Sequence, residues 1–200
     1  KADVSISTGT VLAAMTLVSK PEPRADCYHG PHFDGKRFFR LAFDPNGAGQ
    51  LEDYQRRFAA HSTLEELLAL AASAPAGGPA PRDIGTVAQG VAMRYLLEKI
   101  AARHRTLIGL AMDGAKASRI VATGGGARSA LWLQIQADMF ATPIMNPTSP
   151  ERACLGAAML ASVAAGWQRD HVQATEAMLS PGRAFEPSVT SVECYRNWAP

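Results

Sequence analysis

Cysteine is scarce in this sequence: Cys27, Cys154 and Cys194 are the only three in 200 residues, an odd number at no motif spacing. Such a set builds no disulfide framework and fits a reduced cytoplasm. Long apolar runs are missing too. Nothing approaches the ~20 residues of a membrane span, and no signal peptide opens the chain. Charge of one sign is also absent: 20 Lys and Arg against 18 Asp and Glu leave +2, with the basic residues scattered. They form neither a nucleic-acid stripe nor a polybasic membrane patch. There is no internal repeat and no low-complexity tract. What remains is 47% hydrophobic content, enough for one sizeable core with room for a subdomain. The chain opens on Lys1 and enters a strand pattern almost at once, as expected of a piece of a longer polypeptide.

The most informative stretch is RIVATGGGARSALWLQIQADMFATP, from Arg119 to Pro143. Ile120, Val121 and Ala122 read as a strand, Gly124, Gly125 and Gly126 break it, and Leu131, Trp132, Ile135 and Met139 restart at helical spacing. A strand that ends in glycines before a helix leaves backbone N–H groups facing one point, which suits a phosphate or the ribose side of a nucleotide. The opening DVSISTGTVLAAMTLV predicts two strands around a tight turn at Thr8-Gly9-Thr10. Taken alone it reads as an ordinary hairpin; its tip nevertheless combines backbone N–H and hydroxyl donors.

Between these loops, residues 21–31 read as a turn-rich loop and 36–43 as a strand. His29 and His32 in HGPH lack the second ligand pair of a structural zinc site, so a solvated loop is expected there. Asn46-Gly47-Ala48-Gly49 starts a helix running through Tyr54 to Phe58. Ser62-Thr63-Leu64-Glu65 matches a capping box before a helix with Leu64, Leu67, Leu68 and Ala71 on its apolar face. After a stiff connector over 73–83, Asp83 is expected to cap a long helix carrying Ile84, Val87, Val91 and Tyr95 as far as about Arg105. Downstream of the central block, Ile144-Met145 forms a brief strand. A helix follows Glu151, where Cys154, Gly156, Ala157, Ala158 and Ala161 suit close packing against another backbone. Gly166 ends it as a C′ residue. The tail forms two short helices around SPGRAFEP. Its Phe185, Tyr195 and Trp198 dock either inside the chain or between two copies, which leaves a homodimer open.

Two familiar nucleotide loops are excluded. The dinucleotide fingerprint fails because Ser129 occupies the third glycine position and no acidic residue follows near Ile144 to Asn146. No G-x-x-x-x-G-K-[ST] occurs either. What is left is a pair of separated donor loops, Thr8-Gly9-Thr10 and Gly124-Gly125-Gly126 with Ser129.

GGGARSALWLQIQADMFATPI followed by ERACLGAAMLAS resembles the signature region of the FGGY family of carbohydrate kinases, close to xylulokinases. ISTGT resembles the family's second phosphate loop, with Val11 where Ser or Gly is usual. NGAGQLEDYQRRF resembles the helix beside the adenine, VAQGVAMRYLLEKI the helix before the signature strand, and FEPSVTSVECYRNW the closing helix. The resemblance implies an α/β, ribonuclease-H-like domain of the actin, Hsp70 and hexokinase superfamily, with a mixed sheet flanked by helices and spanning residues 1–200. It further implies ATP with Mg²⁺. Gly9 and Thr10 would face the β/γ-phosphates, and Gly124, Gly125, Gly126 and Ser129 would hold the α-phosphate and adenosine. Gly49 and Asp53 would lie beside the base. Ser129 has a second reading as a plain helix N-cap.

The family's first phosphate loop, its sugar-binding residues and its general-base aspartate would all lie upstream of Lys1. Residues 58–83 carry SAPAGGPAPRD in place of the usual Gly-Glu-Arg-x-Pro-like motif. The expectation is therefore the ATP-binding half of a kinase for a ketose or polyol, xylulose-like, which does not phosphorylate sugar by itself. No catalytic or metal-ligating residue is expected in this chain. The alternative is a non-catalytic nucleotide-sensing or interaction domain that keeps the fold.

Overall fold

The computed structural model describes residues 3–149, 151–180 and 182–200. Alternation in the opening segment produces β1 (Asp3–Thr8), where Val4, Ile6 and Thr8 are buried on one face and Ser5 and Ser7 lie on the other. It pairs antiparallel with β2 (Leu12–Val18), and the last register pair, Thr8 with Leu12, leaves Gly9-Thr10-Val11 as the tip. Two further strands, β3 (Tyr28–Pro31) and β4 (Phe38–Asp44), extend this side antiparallel. On the other side β5 (Arg119–Thr123) and β6 (Ile144–Asn146) run parallel to β1, and β7 (Arg183–Phe185) closes the sheet antiparallel. The order is β3-β4-β2-β1-β5-β6-β7, a mixed seven-stranded sheet. β3 corrects the loop expected over 21–31, and β7 forms inside SPGRAFEP. Both are short edge strands, where proline and glycine are tolerated because only one side of the backbone is paired.

The helices are α1 (Gly49–Phe58), α2 (Leu64–Ala72), α3 (Gln89–Met112), α4 (Ala130–Phe140), α5 (Arg152–Ala164), α6 (His171–Met178) and α7 (Val189–Tyr195). The long α3, together with α4, covers the face of the sheet that carries Val4, Ile6, Ala14, Ile120 and Ala122. Its core side includes Met93, Leu97, Ile100 and Ala101 at helical spacing.

Two helix starts differ from expectation. α3 begins at Gln89, not after Asp83. The Asp83 carboxylate instead accepts the N–H of Gly85, which closes a local turn, and Ile84 and Val87 reach the core from that turn. α2 is capped one residue later than read: Thr63 Oγ1 accepts the Glu66 N–H, and the Glu66 carboxylate accepts the Thr63 N–H at 2.7 Å.

The tail docks inside the chain. Tyr195 donates to Glu98 Oε1 at 2.7 Å, and Arg94 donates to both Glu98 and the Tyr195 hydroxyl. Glu98 is 1% exposed and also accepts the Gly77 N–H, while Trp198 Nε1 donates to the Gly78 carbonyl. This network ties α7 and the 73–83 connector to α3. With the guanidinium, the carboxylate and the hydroxyl each paired within this network, the buried charges are tolerable.

The second face is covered less completely. α6 lies near it, beside Arg119, Val121 and Met145, and α5 packs against α6. The close packing expected of the small residues on α5 does not occur within this chain. Cys154, Ala157, Ala158 and Ala161 are exposed, and a Cβ on Gly156 would meet nothing within 4 Å. Gly166 does end α5, with φ +74 and with the Trp167 N–H reaching back to the Ser162 carbonyl.

His104 is fully buried; its Nε2 lies 3.0 Å from the Ala13 carbonyl, and burial pulls its pKa from 6.5 down to about 4. The folded protein therefore keeps this ring neutral at a pH where the unfolded chain protonates it. The stability this provides is present above about pH 6.5 and is lost as pH falls toward 4. The loss amounts to roughly 3 kcal/mol. Urea unfolding between pH 7.5 and 4.5 should show that decline, and a His104→Gln variant should flatten it over this window.

Candidate functional site

The two donor loops meet through Thr8, the last residue of β1. Because β1 and β5 pair in parallel with Ser7 beside Thr123, both loops leave the sheet at its same end. Gly124 has φ +86, and a Cβ there would come within 2.7 Å of the Thr8 carbonyl oxygen. Gly126 faces the Thr8 methyl at 2.7 Å and the Trp132 ring at 2.8 Å by the same measure. Only glycine permits this approach at either position. Gln136 then donates to Thr8 Oγ1 at 3.1 Å from α4 below.

Gly125–Arg128 forms one 3₁₀ turn, whose first N–H groups have no intrahelical acceptor. Ser129 ends it and caps α4, its Oγ accepting the Trp132 N–H at 3.2 Å. The hydroxyl proton of Ser129 remains available to a ligand. The hairpin tip is held from the other side: the Gly9 carbonyl accepts the Ala48 N–H at 2.8 Å, and the Thr10 carbonyl accepts the Gly47 N–H at 2.9 Å. Gly47 is buried, and a Cβ on it would lie 2.4 Å from the Gly9 oxygen.

These elements enclose a cleft of about 530 Å³, within the range of small-molecule sites. Of the eight residues proposed from sequence, Gly9, Thr10, Gly125, Gly126 and Ser129 line it. Gly124 does not; it faces a separate cleft on the other side of the turn. Gly49 and Asp53 are not brought to the cleft either. Gly49 begins α1 with open space around it, and Asp53 is exposed and ion-paired with Arg56. Ala48 and Glu52, each one position earlier, line the cleft in their place, with Leu51. Helix α2 supplies the opposite wall with Leu64, Glu65 and Leu68. The sequence reading missed these residues. Their signal was the spacing of Ala48, Leu51 and Glu52 on one turn and of Leu64 and Leu68 on the next helix. The wall is thus mostly apolar, interrupted by Glu65 and by Glu52 at its edge, with backbone donors at one end, a combination suited to a flat heterocycle joined to an anion.

A larger cleft, about 900 Å³, opens between the β3–β4 turn and α6 and is lined in part by His32, Phe33, Lys36 and His171. Its turn carries a single glycine, Gly35 at φ +69, and no glycine triplet. Within it His32 lies 3.2 Å from the Asp34 carboxylate, whose pKa is held well below its usual value chiefly by the Lys36 backbone N–H. Among the described residues no group of three His, Cys, Asp or Glu side chains is placed to hold a metal ion.

Residues 85–165 match the model of the FGGY family of carbohydrate kinases, C-terminal domain. A xylulose kinase of Bacillus subtilis (strain 168) is 30% identical over 105 residues, which is 52% of this chain and 21% of that protein. Among solved structures, a ligand-bound xylulose kinase from Lactobacillus acidophilus superposes with a TM-score of 0.84 at 22% identity. It covers 98% of this chain and 45% of that one. A Plasmodium falciparum glycerol kinase with ADP gives 0.77 at 12% identity over 92% of this chain and 43% of that one. At these identities the likeness is one of fold, a mixed sheet flanked by helices. This chain spans less than half the length of the solved relatives it matches.

Neighbouring glycines of the triplet should behave oppositely. Gly124→Ala should lose roughly 2–4 kcal/mol, because it adds both a positive-φ penalty and a clash with the Thr8 backbone. Gly125→Ala, with nothing within 4 Å of its added carbon, should stay within about 0.5 kcal/mol of the parent. Urea unfolding of the two variants checks this.

Proposed function

From the premise that this chain carries the C-terminal domain of an FGGY-family carbohydrate kinase over residues 85–165, we propose that it is the ATP-binding half of a sugar kinase. The observation that carries the proposal is the convergence of two separate glycine loops on one cleft with an apolar far wall. In this reading the base lies between Leu51 on α1 and Leu64 and Leu68 on α2, with Ala48 and Glu52 at its edge. Gly125, Gly126 and Ser129 offer N–H and O–H donors to the α-phosphate side, and Gly9 and Thr10 face the β/γ-phosphates. Gly124 serves the site indirectly by letting the turn lie against Thr8.

The transferred group is the γ-phosphoryl, and the acceptor is a hydroxyl of a ketose or polyol, xylulose-like by analogy with the relatives' names. Phosphoryl transfer needs a positioned acceptor, a base and Mg²⁺ together. Mg²⁺ would ride mainly on the nucleotide phosphates, since this cation is usually held by substrate phosphates and one or two carboxylates rather than by a protein cage. The general base and the sugar contacts are assigned to an N-terminal domain. Residues 1–200 would be one domain of two, and the exposed small-residue stripe on α5 offers a surface for the other. The unpaired state of Cys27, Cys154 and Cys194 fits a cytoplasmic enzyme.

Calorimetry with ADP–Mg²⁺ tests the proposal. Binding should be measurable at millimolar nucleotide or below, and Gly125→Val, which pushes two methyl groups into the cleft, should abolish it while the fold persists by circular dichroism. Absence of heat for the parent chain, or equal heat for both proteins, would refute it. The 200-residue chain supplied with ATP and a ketose or polyol panel should form no sugar phosphate; turnover would place the base within this chain.

A further inference from the structure

The second cleft beside the glycine turn has a chemistry of its own. It measures about 250 Å³ and is lined by Gly124, Ala127, Asn146 and three arginines, Arg128, Arg152 and Arg183. One carboxylate stands near them. Glu151 lies 3.9 Å from the Arg128 guanidinium, with both side chains largely exposed, a separation and setting at which the pairing is weak. Among the described residues Arg152 and Arg183 face no carboxylate, whereas Arg40, Arg94, Arg103 and Arg119 each do.

Arg152 is the informative member. Its Nη2 donates to Asn146 Oδ1 at 2.5 Å and to the Pro147 carbonyl at 2.7 Å, both uncharged acceptors. Its Nε is buried without any acceptor. Burial alone pulls its pKa below the usual arginine value, with no neighbouring carboxylate opposing the shift. A partly desolvated guanidinium without a counter-charge is an arrangement proteins rarely keep unless an anion completes it. The surroundings are ordered around it. Asn146 also donates to the Ala127 carbonyl at 2.9 Å, and it sits directly opposite Arg183 in the β6–β7 register. The Arg183 guanidinium lies 4.7 Å from the centroid of the Phe185 ring, which holds it flat.

We propose that this cleft is a second oxyanion site, in which Arg128, Arg152 and Arg183 bind the phosphate group of a small metabolite. Three guanidinium forks against one exposed carboxylate favour a dianion with several acceptor oxygens over a single carboxylate. The site is distinct from the nucleotide cleft: Gly125 and Gly126 face one side of the turn, and Gly124 and Ala127 face the other. Arg128 lines both, so an occupied second site is coupled to the first through that side chain.

The test is a titration of the ¹⁵N-labelled chain with inorganic phosphate at constant ionic strength, reading the arginine Nε–H signals. Saturable shifts of Arg152 and Arg183 are expected. Arg183→Met, an exposed position, should weaken phosphate binding about 10-fold or more, and Arg152→Lys should weaken it less. ADP binding by Arg183→Met should match the parent, and Gly125→Val should keep the arginine response even where it abolishes ADP binding. That separates failure of this site from failure of the nucleotide reading. Non-saturating shifts, or an unchanged affinity in Arg183→Met, would overturn the proposal. An equal response to acetate would do so too, pointing instead to docking of an acidic protein surface.

Discussion

The contact between Thr8 and the glycine turn is the constraint on which the rest of the site depends. Thr8 ends β1 at the point where the parallel pair β1–β5 stops, and the turn after β5 folds back over its carbonyl. That approach is possible because Gly124 and Gly126 have no Cβ and because Thr8 is tied from below by Gln136. The hairpin tip gains a second anchor through Gly47, so both donor loops are immobilised by backbone contacts. Their own side chains contribute little to this. Preorganised donors of this kind lose little entropy when an anion arrives, which makes a backbone-built anion site effective despite its few charges.

The support beneath this contact is buried and polar in a controlled way. Gln136 lies between Thr8 and His104, whose Nδ1 is 3.5 Å away. Nε2 of His104 reaches the Ala13 carbonyl on β2. Both strands of the hairpin are thereby linked to α3 and α4. Keeping His104 neutral is part of the arrangement, because a charged ring in this position would have no counter-ion.

Where the reading from sequence succeeded, the pattern was local. Alternation in 3–18, the glycine triplet between Ala122 and Leu131, and Gly166 as a helix end each reflect the physics of a few adjacent residues. The failures came where two chemically equivalent residues compete or where packing decides. Ser62 and Thr63 can each cap a helix, and Glu65 and Glu66 can each complete the box; the chosen register buries Leu67 and Ala71 fully. Asp83 is as good a turn former as a cap, and the turn won because Gly85 follows it. Gly49 and Asp53 fall outside the cleft lining, which takes Ala48 and Glu52 instead. A glycine draws attention in a sequence, whereas the lining is decided by which side of the helix faces α2. β3 and β7 carry no periodicity because edge strands this short do not need any. The Arg128, Arg152 and Arg183 cluster was invisible for another reason: its members are brought together only by the β6–β7 pairing and the start of α5.

A domain can be well folded and still leave one helix face uncovered. The core here is built between the α3–α4 layer and one face of the sheet, and the network of Arg94, Glu98 and Tyr195 fastens the tail to that same layer. Nothing in this core relies on α5, whose small residues remain exposed. The cleft follows the same logic. Its floor is rigid because it belongs to the folded core, while its rim is left open at Thr10, an exposed residue at the end of the hairpin. A second body closing on that rim would meet a preformed anion cradle, with an α5 surface small enough in side-chain volume to allow close backbone approach. Under the proposed reading, such a second body would act at the open end of the cleft, while the floor between α1, α2 and the glycine turn keeps the shape the core gives it.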